Sequence, residues 1–253
     1  MKFVKYGLAT TIFGLLLSLA APSYAETSLS GAQKKEVEDV VRTLLLEKEP
    51  DLIIKAAEEM QKRAEKESRE QGAKAVQESQ KELINDSDDP VIGNKKGDVT
   101  IVEFFDYNCG YCKVVLPTLQ ELIKKDPKVR IVMKEYPILG NTSEYAAKAA
   151  LASVNQNKYM AFHDALMGNK QHLTEALVIG IAKRAGLDTD KLKKDMESDK
   201  IAKIISKTRD LGEKVGARGT PTFIIGGKIF PGAVPLEQMQ EEIKKIRDEK
   251  KKK

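Results

Sequence analysis

At 253 residues, 41% of them hydrophobic and 32% charged, the chain has enough length and apolar content for one or two folded domains with a proper core, which excludes wholesale disorder. The net charge of +5 is mild, and much of the excess sits in the tail KIRDEKKKK, a pattern typical of a solvated helix end, so no nucleic-acid role is assigned. A structural zinc site needs four ligands; there is no second cysteine pair beside Cys109 and Cys112, and His163 and His172 are remote in sequence, so no metal site is assigned.

The chain opens MKFVKYGLATTIFGLLLSLAAPSYAE, with Lys2 and Lys5, an apolar run, and small residues at Ser23 and Ala25. This is the layout of a cleavable secretory signal over residues 1–25, too short and weakly flanked for a spanning anchor. Cleavage after Ala25 would lower the formal charge to +3 by removing Lys2 and Lys5. No other long apolar run follows, so the mature protein is expected to be exported and soluble.

Residues 26–86 are expected to form a helical segment that breaks at Pro50 and ends in the turn-forming NDSDDP. Val37, Val40, Val41, Leu44 and Leu45 make one apolar stripe, and Ile53, Ala57, Met60 and Ala64 continue it. Such stripes need a partner. They could fold back on the remainder of the chain, residues 87–253, but the heavy charge of residues 62–82 makes an extended stalk the more natural expectation.

VTIVEFF, residues 99–105, is apolar on both alternating faces and reads as a central buried strand. Glu103 breaks that pattern, because an unpaired carboxylate in such a strand is costly unless it lies at an edge open to solvent. The following NCGYCK holds both cysteines. In an exported protein a disulfide across two intervening residues closes almost no loop, so it is a poor staple, and the spacing instead suits a pair cycling between dithiol and disulfide. CKVVLPTLQELIKKDP reads as a helix, which puts Cys109 at a helix N-terminus. There the unpaired amides and the positive dipole end favour a thiolate, while Cys112, one turn inside, is shielded and suited to resolve mixed disulfides.

After a strand at residues 129–137 come helical stretches SEYAAKAALASVNQ, KYMAFHDALMG, LTEALVIGIAKRAGL and DTDKLKKDMES, then a longer helix from Ile201 to Val215. His163 within them is read as a packing residue. TFIIGGKIF reads as a closing hairpin turning at Gly226 and Gly227, and Pro235 can open the last helix.

CGYCKVVLPTL, with Pro117 inside the helix, and RGTPTFII resemble the two hallmarks of thioredoxin-fold proteins. The helical insertion at about residues 140–200, with FFDYNCGYC, AAKAALA and FHDAL, is similar to the DsbA family of periplasmic oxidoreductases, from about Val91 to Ile246. The resemblance implies an α/β thioredoxin fold preceded by an N-terminal helical oligomerisation segment. It also implies that Pro221 is cis and faces the disulfide, leaving the Thr220 backbone to pair with an extended client peptide. Glu103 lies six residues before the first cysteine, as an acid does in DsbA-like proteins, and would exchange a proton with Cys112. Lys134 is a candidate partner for it, although structural pairing explains Lys134 equally well.

Gly110 and Tyr111, placed with the substrate-binding residues, depart from the usual Pro-His dipeptide and are similar to the isomerase DsbC, which tilts the expectation from pure oxidation towards isomerase or mixed activity. The N-terminal segment resembles that of ScsC-like proteins and related outer-membrane antigens, implying a homo-oligomer, dimer or trimer. The implied partners are secreted or periplasmic client proteins and a membrane redox partner, with no prosthetic group. A copper(I)-binding or holdase protein using the dithiol as a metal clamp is the alternative, under which the proline loop and Glu103 have no evident purpose.

Overall fold

The computed structural model describes residues 29–252; the expected signal segment lies outside them. The chain divides into two compact units, residues up to Glu59 and residues from Met60 onward. In the first unit, helix α1 spans Gly31–Thr43 and a short π-helical stretch spans Leu44–Lys48. Ser30 starts α1 with a capping box: its hydroxyl accepts from the Gln33 amide at 3.3 Å, and the Gln33 side chain accepts from the Ser30 amide at 2.9 Å. No residue of α1 is buried, and Val37, Val40, Val41, Leu46, Ile53 and Ile54 all stand exposed. Helix α2, Leu52–Glu78, contains the boundary between the units.

The second unit is built on a five-stranded sheet in the order β1-β3-β2-β4-β5. β1 is Val91–Gly93, β2 Val99–Phe105, β3 Val129–Glu135, β4 Thr222–Ile225 and β5 Lys228–Pro231. β2 and β3 run parallel, and the other pairs are antiparallel. β2 is central, as its two-sided apolar pattern predicts. Strand periodicity sends Ile101 and Phe105 to one face, with Ile131, Met133, Phe223 and Ile225. Val102 and Phe104 go to the other, with Val132, Tyr136 and Ile224.

The first face is covered by α4 (Gly110–Lys125), by the helical insertion α5 (Asn141–Ser153), α6 (Tyr159–Gly168), α7 (Glu175–Arg184) and α8 (Thr189–Met196), and by α10 (Leu236–Lys251). The connection between parallel β2 and β3 is α4, as a crossover requires. The β4–β5 turn uses Gly226 and Gly227 at φ 58° and 82°, the left-handed pair that a two-residue hairpin needs. Pro235 stands one position earlier than expected, as the cap of α10.

The second face brings a correction to the expected stalk. Val76 of α2 and Leu83 of α3 (Gln80–Ile84) are 4% and 1% exposed and pack with Val102, Phe104 and Ile224, alongside Leu211 and Val215 of α9 (Asp199–Val215). The last part of the 26–86 segment therefore belongs to the core of the sheet. Its apolar residues are sparse, Val76 and Leu83 being separated by seven positions, so the surrounding charge hid them. Gly212 lets α9 approach β3 closely, because a Cβ there would lie 2.6 Å from the Tyr136 ring.

Candidate active site

Cys109 is the N-cap of α4, extended at φ −77° and ψ 117°, and Gly110 begins the helix. A cap residue faces the first unpaired amides of its helix. The amides of Tyr111 and Cys112 are accordingly donated to the Cys109 sulfur, together with the Cys112 thiol and the Thr220 side chain. The Cys112 thiol is the largest influence; these donors outweigh burial and hold the Cys109 thiol down at about 5. In its protonated form Cys109 donates to the Thr220 carbonyl at 3.0 Å, a contact that only the thiol can make and that opposes ionisation. The Thr220–Pro221 bond is cis, and the Pro221 carbonyl accepts from the Gly232 amide at 2.8 Å, tying this loop to the end of β5.

Cys112, one turn further along, is 1% exposed. Burial pushes its thiol far up, with the bond to Cys109 and the nearby Glu103 charge adding to the effect. Both cysteines are free thiols in the structure. Between them, Gly110 has no atom near the position of a Cβ, and Tyr111 is 68% exposed beside equally exposed Val114.

Glu103 is not at an edge. It lies on β2 between Met133 of β3 and Phe223 of β4, is 2% exposed, and its Oε2 has no hydrogen-bond partner. Burial, then the Cys109 charge, pushes its carboxyl up to about 8. Lys134 is not its partner. In register Lys134 stands beside Phe104, one residue out of step with Glu103, so strand alternation sends it to the opposite face. There its ammonium pairs with Asp89 and donates to the Glu82 carbonyl at 2.7 Å.

Asp106, Tyr107 and Asn108, the three residues before Cys109, each anchor a different neighbour. The Asp106 carboxylate accepts from the amides of Asn108 (2.8 Å), Ile138 (2.9 Å) and Leu139 (3.0 Å), while its carbonyl accepts from the Cys109 amide at 3.1 Å. Asn108 donates to the hydroxyls of Thr142 and Ser143 at the start of α5. Tyr107 donates to Glu135 Oε1 at 2.9 Å, as does Tyr159, and Tyr107 lies 3.0 Å from His163 Nδ1. His163 is packed as expected, edge-on to Phe105 and stacked on Tyr159, and burial holds its imidazole down at about 4. Sequence reasoning missed Glu135, yet a signal was available: it is an acid on a strand face otherwise made of Val129, Ile131 and Met133.

Among the described residues no group of three or more His, Cys, Asp or Glu side chains is arranged to hold a metal. None of the described helices is long and apolar enough to cross a membrane. The arrangement provides one easily ionised sulfur, 7% exposed, beside a backbone carbonyl, one more deeply sealed sulfur hydrogen-bonded to it, and a buried acid beneath.

Comparison with known proteins agrees with this geometry. A thioredoxin-like oxidoreductase from Silicibacter pomeroyi is 45% identical, with 66% of this chain and 97% of that one covered and a TM-score of 0.65. ScsC of Proteus mirabilis is 32% identical over 86% of this chain and 98% of that one, with a TM-score of 0.63. The probable disulfide bond formation protein D of Bacillus cereus is 29% identical over 151 residues, 54% of this chain and 70% of that protein. Two Salinispora Na(+)/H(+) antiporters also match over 153 residues at 29% identity, and the chain spans only 24% of their length. The DSBA-like thioredoxin domain profile matches residues 100–244, from the central strand that carries Glu103 through the proline loop to the last helix. With the parallel β2-β3 pair, the dithiol at the start of α4 and the cis-proline loop facing it, this chain belongs to the DSBA-like thioredoxin domain family.

Proposed function

We propose that the protein is an exported thiol-disulfide oxidoreductase that rearranges or forms disulfides in other secreted proteins. The observation that carries this reading is the unequal pair of sulfurs. Cys109, stabilised as a thiolate next to the Thr220 carbonyl, is the sulfur that attacks or is attacked, and sealed Cys112 resolves the mixed disulfide. The Thr220 backbone beside Cys109 is the docking strand for client peptide, with Gly110 and exposed Tyr111 bordering it. Glu103 exchanges a proton with Cys112 when the disulfide opens and closes.

Replacing Cys109 with Ser tests the assignment. Insulin reduction should be abolished, whereas Cys112→Ala should accumulate mixed disulfides with clients. Thiolate absorbance should titrate well below the free-cysteine value of about 8.5, and a value at or above it would sink the reading.

The exposed stripe at Val37, Val40, Val41 and Ile53 supports self-association of the first unit, and the 86% of this chain covered by the ScsC comparison is in keeping with that. Self-association, together with the Gly110-Tyr111 dipeptide, favours isomerase or mixed activity over pure oxidation, in the periplasm, with reducing or oxidising equivalents exchanged with a membrane partner. A chain starting at Met60, which keeps Val76 and Leu83, should be monomeric by light scattering. It should lose most scrambled-ribonuclease refolding while still oxidising reduced clients, because paired sites no longer act on one client at high effective concentration.

A further inference from the structure

The active-site face carries a second buried carboxyl that disulfide exchange between the two cysteines does not use. In the parallel β2-β3 register Glu103 stands opposite Met133 and Phe105 opposite Glu135. Glu103 and Glu135 therefore share one face of the sheet, roughly 8 Å apart at Cα from strand geometry. Each is 2% exposed. Their hydrogen bonding differs sharply. Glu103 Oε2 has no partner, whereas Glu135 Oε1 accepts two phenolic hydroxyls, from Tyr107 and Tyr159. With its own proton directed to Glu135, Tyr107 can receive Nδ1–H from His163 at 3.0 Å. Donated bonds stabilise a carboxylate, while two like charges this close in a dry site do not readily coexist.

We propose that Glu103 and Glu135 are a coupled pair sharing one negative charge, which Tyr107 and Tyr159 hold on Glu135, making Glu135 a positioning residue that keeps the proton on Glu103. The proposal rests on the reading of Glu103 as the proton partner of Cys112. In disulfide donation, a client thiolate attacks Cys109 Sγ, the Cys109–Cys112 bond breaks, and its electron pair leaves on Cys112. That thiolate takes the proton of Glu103, giving a Cys112 thiol, a Glu103 carboxylate and a client–Cys109 mixed disulfide. In the reverse step the Glu103 carboxylate takes the Cys112 proton, Cys112 attacks Cys109, and the client leaves as a thiolate. The first direction needs Glu103 protonated and the second needs it ionised, so the pH at which Glu103 titrates decides which of the two forms is at hand.

The groups acting on Glu135 are Glu103 of β2, Asp106 and Tyr107 of the loop after it, and Tyr159 of α6, whose neighbour His163 is neutral above about pH 4. Glu103 faces Cys109 and Cys112 of α4, Glu135 of β3 and apolar Phe223 of β4. No cation is among these neighbours. Burial pushes both carboxyls up, Glu135 well above its ordinary value with the Asp106 and Glu103 charges adding to the rise, and of the two only Glu135 has hydroxyl donors that act against it.

The test follows the Glu103 carboxyl by carbon-13 NMR of the full-length protein from pH 5 to 10, alongside the rate at which Cys112 releases a glutathione mixed disulfide from Cys109. In Glu135→Gln the Glu103 titration should move down by about one pH unit, and the release profile should move with it. Tyr159→Phe, which leaves Glu135 one hydroxyl, should shift both in the same direction by less, and it serves if circular dichroism shows that Glu135→Gln has not folded. A Glu103 titration that stays in place, or rises, in these variants overturns the coupling. Glu103→Gln separates the underlying reading: a release profile that keeps its inflection without the Glu103 carboxyl refutes the role of Glu103 itself, whatever the NMR titration shows.

Discussion

The two faces of the central sheet bury charge in opposite ways. On the face packed by α2, α3 and α9, Lys134 is 1% exposed, and its ammonium is paired with Asp89 and donates to the Glu82 carbonyl. On the face packed by α4 and the insertion, Glu103 is as deeply buried, yet one carboxylate oxygen has no partner and no cation stands near it. A buried charge with its counter-charge in place is an element of architecture. An acid left without one, beneath a sulfur that must gain and lose a proton, is an element of chemistry, tolerated because the group is neutral below about pH 8.

The sharpest way to break this comparison is to remove the counter-charge where it exists. Lys134→Ala should leave the buried Asp89 carboxyl without its bonded counter-charge and cost about 3–5 kcal/mol in urea unfolding, whereas Lys134→Met combined with Asp89→Leu should recover much of the loss. Exchange activity per folded molecule should be unchanged, because neither residue faces the dithiol. A single variant as stable as the parent would show that the pair contributes nothing to the fold.

On the other face the expected result has the opposite sign. With a folded value of about 8 and an ordinary value of 4.5, Glu103 keeps its proton in the native state after the unfolded chain has lost it. The native state then binds more protons between those limits, so stability falls as pH rises through the window. The loss amounts to about 3 kcal/mol by pH 7 and levels off above pH 8. Glu103→Gln should remove that slope. If the parent and variant stability curves run parallel from pH 4.5 to 8, Glu103 is not buried in its neutral form.

Leu83→Ala should cost about 2–4 kcal/mol by denaturant unfolding, because its side chain covers Phe104 and Ile224 in the second face. A near-neutral effect would return α3 to the exposed segment it was expected to be part of. The smallest effect belongs to Tyr136, whose hydroxyl donates to the Ala217 carbonyl at 3.0 Å just ahead of the proline loop. Tyr136→Phe should lose about 1 kcal/mol, read as a fall of a few degrees in Tm, with Cys109 ionisation unmoved.

Much of the site is legible in the amino-acid sequence because its signals are local. The buried strand before the dithiol, Cys109 as a helix cap and the Gly226-Gly227 turn all follow from residues within one element or its immediate neighbours. Glu103 is legible as an anomaly, a charge in a strand apolar on both faces. Glu135 sends a similar signal from one face of β3, but its neighbour Lys134 makes the pair look like an ordinary polar strand end. Asp106 and Asn108 carry no signal at all, since their partners at Ile138, Leu139, Thr142 and Ser143 lie more than thirty positions away.

The sequence by itself determined the central strand, the unequal pair of sulfurs and the all-helical insertion, because hydrophobic period, helix-end amides and turn chemistry act between residues close in the chain. Only the tertiary structure decided which buried charges meet. Lys134 could be paired with Glu103 or with Asp89 on composition alone, and the choice was made by a parallel register that sets Lys134 one residue out of step and turns its side chain to the other face. Likewise, the Thr220 carbonyl reaches Cys109 across 111 positions only because β4 pairs with β2. Strand alternation is a property any stretch of sequence displays, but register is set by packing a whole sheet, and a shift of one residue exchanges its two faces.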